Sequence, residues 1–219
     1  MIKSTKELSR KFLASDQFAV FSIFADEAQD EMPIFGKVNK LAKIYKGASD
    51  RVAKNKLEKA LTELESVPPV LVRKTVENLQ GEYGFKYSDD VFLDAILSSN
   101  SGEMARIPGK VFVGYCNNKI SIDSYWALLN ITKILIYPDV KSALSSDKTH
   151  VSELKKDVQT RLQAAGLCFN VSGYGSLGTE WNVELLNALI YCIDGRTSVQ
   201  HVKYDAKKFP RNISELPPA

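Results

Sequence analysis

Apolar positions recur at helical spacing through most of the first hundred residues. Ser4 with Glu7 is a capping-box pattern that opens a helix through about Ala14. Asp16 to Glu31 mixes strand-like FAVFSIFA with an acidic DEAQDE end; Phe18, Phe21 and Ala25 share one helical face, and the segment reads as helix. Pro33 starts and Gly47 stops a further helix, with Ile34, Val38, Leu41 and Tyr45 along one stripe. Ser49 caps the next, from about Asp50 to Ser66, whose buried set is Ala53, Leu57, Ala60, Leu61 and Leu64. After Pro68-Pro69 comes a helix carrying Val72, Val76 and Leu79 and ending at Gly81, and Ser88 caps another through Leu97.

The pattern changes at SSNSGE, residues 98–103. KVFVGYC and KISID flank Asn117-Asn118 and predict a β-hairpin, because asparagine tolerates the positive φ of tight turns. YWALLN reads as helix, and KILIYP extends it or forms a strand. A charged amphipathic helix over 149–165 ends at Gly166, LCFNVS reads as a strand, a glycine-rich turn follows, and a helix runs from Thr179 to Cys192. SVQHVKY is a candidate last strand. The expected fold is therefore α+β and helix-dominated. An all-helical region over 1–98 precedes a smaller α/β unit with a β-hairpin over 104–210, and 211–219 is a C-terminal tail.

Composition adds bounds. The 219 residues are 44% hydrophobic and 25% charged, ordinary globular usage that does not predict disorder. Tyr125 to Tyr137 is the densest apolar run, but Asn130 and Lys133 interrupt it, so no membrane span is expected. The charged start MIKSTKELSRKF does not resemble a signal peptide, and the three cysteines, Cys116, Cys168 and Cys192, have no CxxC spacing. Both features fit reduced thiols and a cytoplasmic protein.

The net charge of +3 is too small to imply a polyanion partner for the whole molecule, so the informative charge is local. Between Gly36 and Lys59 eight basic residues stand against two acidic ones. Lys37, Lys40, Lys43 and Lys46 share a polar arc opposite the Ile34 stripe; Arg51, Lys54, Lys56 and Lys59 follow on the next helix. A second cluster, Lys203, Lys207, Lys208 and Arg211, lies beside Tyr204 and Phe209. Lysines on one face track phosphates and release counterions, and aromatics stack on unpaired bases. The reading is a non-enzymatic protein that binds single-stranded nucleic acid without sequence preference, or that assembles with a protein partner or with itself, and needs no cofactor. A solvated surface helix explains the same lysines without any ligand. No helix-turn-helix, zinc-finger or RRM signature occurs, so sequence-specific readout is not expected.

The rival reading rests on Gly173, Gly175 and Gly178, a GxGxxG match with Glu180 after it and Asp194 where a ribose-binding acid would fall. If the loop joins a strand to a helix, backbone N–H groups there face a phosphate. GYGSLGTE also resembles, with one inserted residue, the GGxGTxxE signature of lysine-decarboxylase-like phosphoribohydrolases. That resemblance implies a nucleotide or phosphosugar ligand and a small α/β enzyme or sensor. A plain structural turn is the competing explanation. A third reading is a protein-binding adaptor or inhibitor. His150 and His201 are the two histidines, neither spaced for metal; a Cys168/Cys192/His201 site requires the fold to gather them.

Overall fold

In the computed structural model the described residues are 51–83, 85–145, 150–173 and 176–196. The helices expected over 4–14, 16–31 and 33–47, and the strand expected over 198–204, lie outside them. The described elements are α1 (Arg51–Leu64), α2 (Pro69–Tyr83), α3 (Phe85–Leu97), α4 (Gly102–Cys116), α5 (Ile122–Ile134), α6 (Tyr137–Leu144), α7 (Lys156–Ala164), β1 (Cys168–Gly173), β2 (Ser176–Trp181) and α8 (Val183–Asp194). The molecule is helix-dominated, with one small antiparallel hairpin in its C-terminal part.

α1 buries Ala53, Leu57, Ala60, Leu61 and Leu64, the set its 3.6-residue periodicity predicts. That face lies on α4. At their crossing a Cβ on Gly109 would sit 2.1 Å from the Ala60 carbonyl oxygen, so only glycine lets the two backbones approach this closely. The ion pairs Lys59–Glu103 (2.9 Å) and Glu63–Arg106 (2.5 Å) join the same two helices. Around this crossing Phe92, Phe112 and Tyr125 are fully buried, with ring centroids 5.7 Å apart for Phe92–Phe112 and 6.4 Å for Phe112–Tyr125. A single core holds Leu57 and Phe92 from before residues 98–103, and Phe112, Leu129 and Leu189 from after them.

α4 and the start of α5 correct the hairpin expected at KVFVGYC–KISID. Ser101 opens α4 by accepting the Met104 N–H (3.1 Å), with Glu103 in the first turn near the positive end of the helix dipole. Val111 and Phe112 read as strand because α4 is buried on several faces, which masks helical periodicity. Asn118 does adopt positive φ (53°), but as a helix terminator. Lys119 N–H reaches back to the Gly114 carbonyl (3.0 Å) in a Schellman-type closure. Ser121 then caps α5 by accepting the Ser124 N–H (3.1 Å), so KISID begins a helix.

Other boundaries shift modestly. α2 continues past Gly81 to Tyr83, α3 begins at Phe85 ahead of Ser88, and KILIYP leaves α5 at Ile134. α7 starts at Lys156, after a 3-10 turn over Val151–Glu153, and stops before Gly166 (φ 75°). The hairpin forms downstream of the place expected for it, with Cys168 opposite Trp181 and Asn170 opposite Thr179.

Candidate nucleic-acid interface

Of the ten basic residues singled out in the sequence, Arg51 and Lys54 fall in the described part. Lys37, Lys40, Lys43, Lys46, Lys203, Lys207, Lys208 and Arg211 lie outside it. Arg51 and Lys54 occupy the first turn of α1 and, with Asn55 and Glu58, line a shallow open depression. Their positions at i, i+3, i+4 and i+7 set them on the face opposite Leu57 and Leu61, so burial of one stripe turns the other outward.

The four cations of α1 separate into two kinds. Lys56 donates from Nζ to the Leu97 carbonyl (2.8 Å), a cation at the negative end of α3. Lys59 donates to Glu103 (2.9 Å), and these contacts lower the Glu103 pKa. Both lysines hold α1 to its neighbours. Arg51 and Lys54 have no hydrogen bond or ion pair among the described residues and share their outward face with Asn55 and Glu58. Helical spacing alone did not distinguish the two kinds, because the partners lie about 40 residues away in sequence.

The glycine motif takes a different form from the one its spacing suggested. Gly173 closes β1 opposite Ser176, and Gly178 lies within β2 opposite Val171, with open space where its Cβ would be. Glu180 lies in β2 opposite Phe169; Gly175 is outside the described residues. The helix expected from Thr179 begins at Val183, where Asn182 accepts the Leu185 N–H (3.3 Å). The loop therefore joins strand to strand, because Ser176–Trp181 pairs along its length with β1. Among the described residues no helix N-terminus opens from the loop. Asp194 ends α8 and accepts from Arg196 Nη2 (2.8 Å).

The thiols are protonated at neutral pH. Burial pushes Cys116 and Cys168 up to about 11 and Cys192 up to about 12. Among the described residues no group of three or more His, Cys, Asp or Glu side chains is placed to hold a metal, and His201 lies outside them.

Sequence reading missed a pair that links α6 to α7. Arg161 donates from Nε and Nη2 to the two oxygens of Asp139, at 2.7 and 2.8 Å, while the Ile136 N–H donates to the same carboxylate (3.1 Å). Asp139 is 1% exposed. Burial raises its pKa, but the Arg161 and Ile136 hydrogen bonds outweigh that and hold it below the usual carboxylate range. A separation of 22 residues with no shared periodicity leaves no sequence signal for the pair.

Among the described residues no helix is long and apolar enough to cross a membrane. Comparison with protein-family models, curated proteins and solved structures returns no match for this chain.

Proposed function

We propose that this protein binds a nucleic-acid backbone through its basic residues Lys37, Lys40, Lys43 and Lys46 together with Arg51 and Lys54, the C-terminal lysines contributing as well. The observation that carries the reading is the division within α1. Lys56 and Lys59 are engaged inside the fold, whereas Arg51 and Lys54 sit side by side on the outward face with no partner among the described residues. Cations kept outward are what phosphate tracking requires, and such contacts carry no sequence preference.

The test is a fluorescence-anisotropy titration of the full chain with poly-dT and poly-U over a series of salt concentrations. With two or three phosphates contacted, log K falls against log salt with a slope of about −1.4 to −2.1, at roughly −0.7 per contact. Lys40→Gln with Lys43→Gln flattens that slope by about one unit and weakens both homopolymers alike. Binding that ignores salt, or an unchanged slope in the double variant, overturns the proposal.

A further inference from the structure

We draw no further inference here: the strongest candidate, the open apolar groove between α5, the end of α7 and the start of α8, lined by Ala127, Ile134, Ala165 and Leu185, carries nothing because nothing in the structure shows what covers it.

Discussion

The α1–α4 crossing and the α6–α7–hairpin unit differ in how closely their backbones approach and in where their polar links lie. At the crossing, backbone meets backbone at Gly109, and apolar side chains fill the surroundings. In the second region Val140, Ala143 and Leu162 are buried in the same core, and polar links join the elements as well: Asp139 with Arg161, and Gln163 with Asn170 and Thr179. Close apolar packing tolerates almost no change of volume, whereas the Asp139–Arg161 link depends on the charge of a carboxylate and so responds to pH. The difference places the mechanical centre of the protein at the crossing.

The sharpest way to break this contrast is a side chain at the crossing. Gly109→Val drives a Cβ into the Ala60 carbonyl, and the helices must separate. The expected loss is about 3 kcal/mol or more, read by urea unfolding. A loss below about 1 kcal/mol would show that the helices adjust freely and that the crossing is not the rigid element.

Asp139→Ala comes next, at about 2 kcal/mol, because it removes charge-assisted hydrogen bonds whose arginine partner remains reachable by water. The pH dependence has a fixed sign. The folded-state pKa of Asp139 is depressed, so its contribution is full above the unfolded carboxylate pKa of about 4 and fades as pH falls through the folded value. The stability gap between parent and variant should therefore be constant near neutrality and close in acid. A gap that widens on acidification would contradict the direction of the shift.

Smallest is Gly178→Val. Gly178 lies in β2 with nothing near its Cβ position, and a β-branched residue suits a strand. The change should stay within about 0.5 kcal/mol of the parent. A cost comparable to that at Gly109 would mean that the hairpin is packed as tightly as the crossing, and the comparison would fail.

How much of this was legible in the sequence follows the same division. The buried face of α1 could be read to the residue, though not its ends, because one face is buried and one is wet, so Ala53, Leu57, Ala60, Leu61 and Leu64 stand out at helical spacing. α4 could not, because burial on several faces erases the polar half of the pattern, and Val111, Phe112 and Val113 then read as strand. Asn118 was legible as a positive-φ position but not as the end of a helix, since a Schellman closure and a hairpin turn ask for the same residue type. The glycine motif failed for a related reason. GxGxxG specifies spacing, while phosphate binding at that site needs a helix to follow, and here β2 follows. At the candidate interface the basic composition was visible. The division between engaged and outward cations was not, because it depends on the Leu97 carbonyl and Glu103 arriving from distant parts of the chain.

That division is also the most direct point of test. Two double variants of the full chain, Arg51→Gln with Lys54→Gln and Lys56→Gln with Lys59→Gln, remove equal charge from the same helix. Each is titrated against labelled oligo-dT over a salt series, beside urea unfolding. The outward pair should flatten the salt slope by about one unit, at roughly −0.7 per phosphate contact, and leave the unfolding midpoint in place. The engaged pair should lower the unfolding midpoint and leave the slope unchanged. Equal slopes for the two variants, or a slope change confined to Lys56 and Lys59, would contradict the assignment of the outward cations to a nucleic-acid backbone.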